Sequence, residues 1–288
     1  MLALVRRERT RSRESAVAFY RLYRALETGH TVPLPDQDHI PESLTLGELR
    51  EDWARISDTV RRPEPDDADR VSVDDFDWPD DPEDDHESAA VANLIGNGPA
   101  RVARELDRLK SQEDDGGRLD DAGFLQELDT LMRNAGTTAA GAADREALRA
   151  GRDLITHASQ EDRRAVGWAR VTDGDPCAFC AMLVSRGATY TSRATAIGGG
   201  RRKPEGSPDG RARQHRRPPV ALEDLTRYHY GCHCQTVPVY SRNDFMTPQA
   251  RDYDRQWREV TRGLSGDDAR TAWRRHIDAQ RRANQSPS

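Results

Sequence analysis

The sequence predicts an α+β chain, mostly α-helical, with a small cysteine-rich, β-containing module toward its C-terminal end. Three observations predict it. Apolar residues recur at helical spacing over much of the 288 residues. All four cysteines lie between positions 177 and 234. The two short strand candidates, 188–192 and 235–240, fall in that same least helical region.

Residues 1–62 read as a helical segment. Ala16, Phe19, Tyr20, Tyr23 and Leu26 stand at roughly helical spacing, and Gly29 is a natural stop. A second helix is expected from about Leu46 to Val60, with Leu46, Leu49, Trp53, Ile56 and Val60 as its stripe. Core packing within a helical domain, or against partner subunits, explains both stripes.

Residues 63–87 differ in kind. Between Pro63 and Asp85, 12 of 23 residues are Asp or Glu, Arg70 is the one base, and four prolines break any helix. Self-repulsion is expected to keep such a block extended and solvated, as an acidic flexible linker. A sharper alternative is docking onto a basic partner surface through Phe76 and Trp78.

Helical periodicity returns over 88–171. Val102, Leu106 and Leu109 make one stripe; Phe124, Leu125, Leu128, Leu131 and Met132 make another. A Gly/Ala/Thr-rich break at 135–143 is expected to precede a separate helix near Asp144–His157. Residues 172–246 form the Cys/His module, and 247–288 carry two further helices. Thr247-Pro248 and Ser265-Gly266-Asp267-Asp268 are their expected starts.

The charged share is 33%, the apolar share 35% and the mean hydropathy -0.90. No run approaches the ~20 apolar residues of a membrane span, so no membrane partner is expected. Low apolar content argues that part of the surface finds its burial in an assembly. Only Lys110 and Lys203 are lysines, against 42 arginines, which points to a GC-rich genome. The N-terminus lacks a basic stretch ahead of a longer apolar core, so synthesis in a cytoplasm without classical export is expected.

Within the module, 198–219 is rich in Gly, Pro and Arg and is expected to be a disordered loop. Arg201, Arg202, Lys203, Arg211, Arg213, Arg216 and Arg217 could meet DNA phosphates there. No aromatic residues interleave them, so there is no stacking platform for bases. A solvated loop that orders on assembly is the competing reading.

The cysteines are the informative feature. Cys177 and Cys180 are spaced C-x-x-C, Cys232 and Cys234 C-x-C, and His229 precedes the second pair by three residues. In a reducing cytoplasm, two tight thiol pairs suggest a metal more than disulfides. Zinc favours four N/S ligands in a tetrahedron. In an extended C-x-C segment both cysteines share a face while His233 points away. The expected site is a structural Zn²⁺ held by Cys177, Cys180 and Cys234, with Cys232 or His229 as fourth ligand. Free buried thiols, and disulfides formed after release from the cell, remain alternatives.

Catalytic patterns are not met. Pro176-Cys177-x-x-Cys180 resembles half of a zinc-deaminase signature, but His157 is followed by Ala158 and Ser159, so the proton-shuttling Glu is missing. The eight histidines form no recognisable triad. There is no nucleophile elbow, P-loop or dinucleotide fingerprint. No residue is assigned a catalytic role.

The stretch from Val166 to Tyr190, with Pro-Cys-Ala-Phe-Cys inside it, resembles the MuF-like minor capsid or head-morphogenesis proteins of tailed phages infecting actinobacteria. So does His229-Tyr-Gly-Cys232-His233-Cys234 leading into Val237-Pro238-Val239. The likeness covers about 150–240; the long 198–219 insertion departs from it. It implies a structural virion protein in the head interior or portal vicinity. It further implies a role in prohead assembly and contacts with portal, major capsid or scaffold protein. Some relatives are labelled capsid maturation proteases, which is the alternative activity; contact with packaged DNA is another.

Overall fold

The computed structural model of the chain describes residues 1–80, 83–114, 121–187, 228, 232–241 and 246–285. Its elements run α1 (Leu2–Thr28), β1 (His30–Thr31), β2 (Ser43–Thr45), α2 (Leu46–Ser57), β3 (Arg70–Val73), α3 (Glu83–Asn97) and α4 (Pro99–Asp114). They continue with α5 (Asp121–Glu161), β4 (Gly167–Val171), α6 (Ala178–Val184), β5 (Gln235–Val239), α7 (Pro248–Val260) and α8 (Gly266–Gln285). The α+β class predicted from the sequence is the one observed.

Helix α1 stops where the sequence says it should. Gly29 takes the left-handed conformation (φ 70°) and its N–H returns to the Ala25 carbonyl. Helix α2 opens with a capping box: the Thr45 hydroxyl accepts from the Glu48 N–H, and the Glu48 carboxylate accepts from the Thr45 N–H. It ends sooner than its apolar stripe suggests. Asp58 adopts a left-handed cap after Ser57, so Val60 lies outside the helix and is 94% exposed. Asp tolerates that conformation because its short polar side chain bonds locally.

The centre of the molecule is α1 lying along α5. Ala16, Val17 and Tyr20 of α1 meet Leu154, Ile155 and Ala158 of α5, with Val32 beneath them. The helices touch backbone to side chain at Gly151, where an added Cβ would sit 2.6 Å from the Ser12 carbonyl oxygen. Helix α5 is continuous through 135–143, where a break was expected. Ala135, Ala139 and Ala142 are buried along it, so the small residues serve close packing instead of a turn. Leu125 and Met132, read as stripe residues, are exposed on its first half.

The described part of 63–87 is not a free linker. Its strand β3 is the middle of a three-stranded sheet, parallel to β1 and antiparallel to β2. Its acids find cations instead of each other. Arg50 binds Asp66 and Asp67, Arg61 binds Asp67, and Arg24 and Arg164 bind Asp74. Phe76 and Trp78, considered above as a docking pair, pack against Tyr20 in the chain's own core, Phe76 stacked and Trp78 edge-on. The Trp78 indole N–H donates to the Pro33 carbonyl at 2.9 Å.

Under this face lies a buried ionic knot. Arg24 donates to both oxygens of Asp162 (2.7 and 3.2 Å), to Asp74 (2.7 Å) and to the Thr31 carbonyl. Tyr20 donates to Asp162 at 2.9 Å. The knot joins α1, the residue after β3 and the α5–β4 turn.

The C-terminal part is a second layer. Strands β4 and β5 form an antiparallel ribbon with Ala169 opposite Val237. Helices α6, α7 and α8 close over Ala181, Val184, Tyr253, Trp273 and Ile277. The expected starts of α7 and α8 are observed, with Thr247 capping α7. The strand candidate 188–192, the loop 198–219 and His229 lie outside the described residues.

Candidate metal centre

Each thiol is placed by a different element. Cys177 is the N-cap of α6, and its sulfur accepts from the Cys180 N–H at 3.4 Å. The first helical turn therefore carries Cys180 inward. Helix α6 is itself anchored by α8, whose Trp273 indole N–H donates to the Ala178 carbonyl at 2.8 Å. The loop before it is held by Gln249 of α7, which accepts from the Thr172 N–H and donates to the Thr172 carbonyl. Cys232 and Cys234 enter on the segment leading into β5.

The two pairs converge. Cys180, Cys232 and Cys234 are buried, and their three sulfurs all lie within 4.8 Å of one another. Cys180 and Cys232 sulfurs are 3.4 Å apart, and all four cysteines are free thiols. Cys177 borders the trio, half-buried. A tetrahedral zinc with Zn–S of about 2.3 Å puts its sulfurs about 3.8 Å from each other, so these spacings suit one ion. They are too tight to enclose a multi-iron cluster. A 230 Å³ cavity opens beside the thiols, lined by Asp173, Asp175, Pro176, His233 and Arg281 as well.

His233 behaves as the alternation of an extended segment predicts. It is exposed between two buried cysteines, and its Nδ1 lies 2.8 Å from Asp173 Oδ2. That partner holds the Asp173 carboxyl below its ordinary range.

Crowding disfavours thiolates while no cation is present. Cys180 is pushed far up, chiefly by its contact with Cys177, then by Cys232, Cys234 and burial. Cys234 is pushed up to about 12: its hydrogen bond with Cys180 favours the thiolate, but Cys232 and burial outweigh that. Arg170 acts on Cys234 in the thiolate's favour. A dication inverts this balance, because thiolates that repel each other all gain from one central charge.

Three residues that sequence reasoning passed over stand behind the thiols. Arg152 of α5 and Arg170 of β4 are both about 1% exposed, and each guanidinium carbon lies 4.1 Å from the centroid of the Tyr228 ring. Arg152 also donates to the Cys232 carbonyl, while its Nε and Nη1 find no hydrogen-bond partner among the described residues. The Tyr228 hydroxyl lies 2.8 Å from the Thr236 hydroxyl. A signal was present: Arg170 is the one charged residue in the strand Gly-Trp-Ala-Arg-Val, and Arg152 shares a helix face with Leu148 and Ile155.

Of the expected site residues, the structure brings together Cys180, Cys232 and Cys234, with Cys177 beside them. His229 and the basic residues Arg201, Arg202, Lys203, Arg211, Arg213, Arg216 and Arg217 lie outside the described residues.

Fold and site thus define an α+β protein in which a β-ribbon and three helices meet at a buried thiol cluster able to hold one metal ion. Residues 120–260 match the family model described as VG15 protein, a phage-associated viral gene 15 family. The matched span includes all of α5, all four cysteines, both ribbon strands and α7. It supports a phage protein. No curated protein and no solved structure gives a match. No helix among the described residues is long and apolar enough to cross a membrane.

Proposed function

We propose that this chain is a structural minor component of a phage head that takes part in prohead assembly near the portal. Its C-terminal module is clamped by one structural Zn²⁺. The observation that carries the reading is the meeting of thiols more than fifty residues apart, at one buried point, inside the segment that matches a phage-associated family. The resemblance of 150–240 to MuF-like proteins supplies the role; the thiol geometry supplies the staple.

The donor set fits the metal. Soft thiolates favour zinc over hard cations, and zinc's lack of redox chemistry suits a purely architectural role. Cys180, Cys232 and Cys234 would hold the ion with Cys177 as the fourth ligand. When bound, the ion supplies cross-linking: it ties α6 to the segment before β5 and closes the base of the intervening chain. A small, poorly buried segment gains most from such a tie.

Exposed apolar surface supports contacts in an assembly. Large apolar side chains stand exposed on α1 and α5, including Leu4, Leu125 and Met132. Portal, major capsid and scaffold proteins are the expected occupants of such faces in a prohead. The test is co-expression of the full chain with each of these proteins, followed by pull-down and sedimentation. Association with portal or capsid subunits is expected, without cleavage of either. Cleavage of a co-expressed head protein would replace this reading by a maturation protease. Binding to DNA that falls steeply with salt, and that is abolished by substituting Arg201, Arg202 and Lys203, would replace it by a DNA-contacting virion protein. No association with any head protein would sink it.

A further inference from the structure

We infer that the chain binds a second copy of itself: the first half of α5 of one molecule lies antiparallel in the groove between α1 and α5 of the other, and the same contact forms in reverse. The inference goes beyond the head reading and does not use the metal. It says what this face meets before any head protein is present.

The groove has a volume of about 860 Å³ and runs from the start of α1 to Val237 of the ribbon. Its α5 side is small, with Ala140, Ala143 and Ala147; Leu4 and Val5 of α1 form the opposite wall. Apolar surface of this extent gains from being covered. The same helix carries a complement to it. In the first half of α5, Leu125 is 63% exposed and Met132 53%. Leu125, Met132, Gly136, Ala140, Ala143 and Ala147 follow one another at steps of seven, four, four, three and four residues, so they share one helix face. A Cβ at Gly136, between the large half and the small half, would meet nothing within 4 Å.

Charge selects the occupant and its direction. The exposed half of the face carries Asp129 and Arg133, which pair with each other in the single chain. The groove carries Asp144 and Arg11. Arg11 precedes Ser12, whose hydroxyl accepts from the Gly151 N–H, so Arg11 stands about two turns further along α5 than Asp144. Antiparallel docking then sets Arg133 against Asp144 of the second copy and Asp129 against its Arg11. Parallel docking would set Asp129 against Asp144 and Arg133 against Arg11, like against like, which is costly.

Packing agrees with that register. Met132 falls between Ala143 and Ala147 of the second copy, large against small, and Leu125 falls beside Leu148. The contact spans about 35 Å of helix between Leu125 and Leu148. A twofold axis relates its two halves, so each copy fills the other's groove and the assembly closes as a dimer.

The experiment is sedimentation of the full chain over the micromolar range, where a dimer is expected. Arg133→Glu and Asp144→Arg alter exposed side chains, and each puts two like-charge contacts into the symmetric dimer. Each is expected to weaken dimerisation at least about tenfold. Mixed with each other, the two variants are expected to form a dimer again, because both contacts then join opposite charges. Ala143→Trp, which fills the groove, is expected to give a monomer, with circular dichroism checking that every variant stays helical. A wild-type chain that is monomeric throughout the range would overturn the inference. So would single variants that dimerise like the wild type, or a mixture of the two that stays monomeric. A monomer whose groove instead takes up a head protein, with Ala143→Trp blocking it, would assign the groove to a foreign helix and overturn the inference equally.

Discussion

Single residues in this chain act mainly by permitting close approach or by balancing buried charge. Gly151 is the plainest case of the first. A methyl group there would meet the Ser12 backbone oxygen at 2.6 Å, and a carbonyl oxygen in a helix has little freedom to move. Gly151→Ala is therefore expected to destabilise the fold by about 1–3 kcal/mol, the usual cost of overpacking, although alanine is the better helix former. Urea unfolding measures it; a more stable variant would mean that α1 and α5 do not cross at Ser12. The thiols were legible in the sequence because spacing alone restricts what C-x-x-C and C-x-C can do. The exposure of His233 was legible for the same reason, since alternation in an extended segment fixes its direction. Arg152, Arg170 and Tyr228 were not. The apolar neighbours of Arg152 and Arg170 hinted at their burial, but their meeting at the thiols depends on separate parts of the chain converging in space, which no local pattern carries.

At the scale of elements, the acidic segment teaches the most. Its composition predicts repulsion and an extended chain. The structure answers that charge with arginines from α1, α2 and the α5–β4 turn, and fastens the segment by β3 and by Trp78. Composition reports how many charges a segment has but not what faces them, so the ordered strand could not be read from it. Helix ends were more legible. Gly29, Thr247 and Gly266 act through local hydrogen bonds and φ angles that neighbouring residues determine. The continuity of α5 was hidden because a run of small residues, among them the buried Ala135, Ala139 and Ala142, looks in sequence like a break. Trp78→Ala is expected to cost about 1.5–3 kcal/mol for a half-buried aromatic. It should also open residues 63–80 to limited proteolysis that spares the wild type. Equal cleavage of both proteins would show that the segment is not held by its aromatic pair.

For the whole molecule, the ionic knot ties α1 to the residue after β3 and to the α5–β4 turn, while the thiol cluster ties α6 to the segment before β5. The knot makes stability depend on pH in a definite direction. Burial acts to raise both Asp74 and Asp162, but hydrogen bonds from arginines outweigh it: Arg164 and Arg24 for Asp74, Arg24 for Asp162. Both carboxyls end below their ordinary range. The unfolded chain then binds more protons than the folded one as the pH drops below about 4. The knot's contribution is complete above that point and is lost as pH falls through the lowered folded values. Asp74→Asn, with metal removed from both proteins, is expected to cost about 1–3 kcal/mol at neutral pH and clearly less at pH 3. A difference that stays constant across that range would remove the knot from the account.

The direct measurement of the central claim is metal content. The full chain, purified without chelator and under reducing conditions, is expected to carry about one zinc per molecule, and Cys180→Ser with Cys234→Ser to carry none. Thiol titration of the native protein should find its cysteines protected until a chelator is added. A chain with no bound metal and four freely reactive thiols would contradict the account.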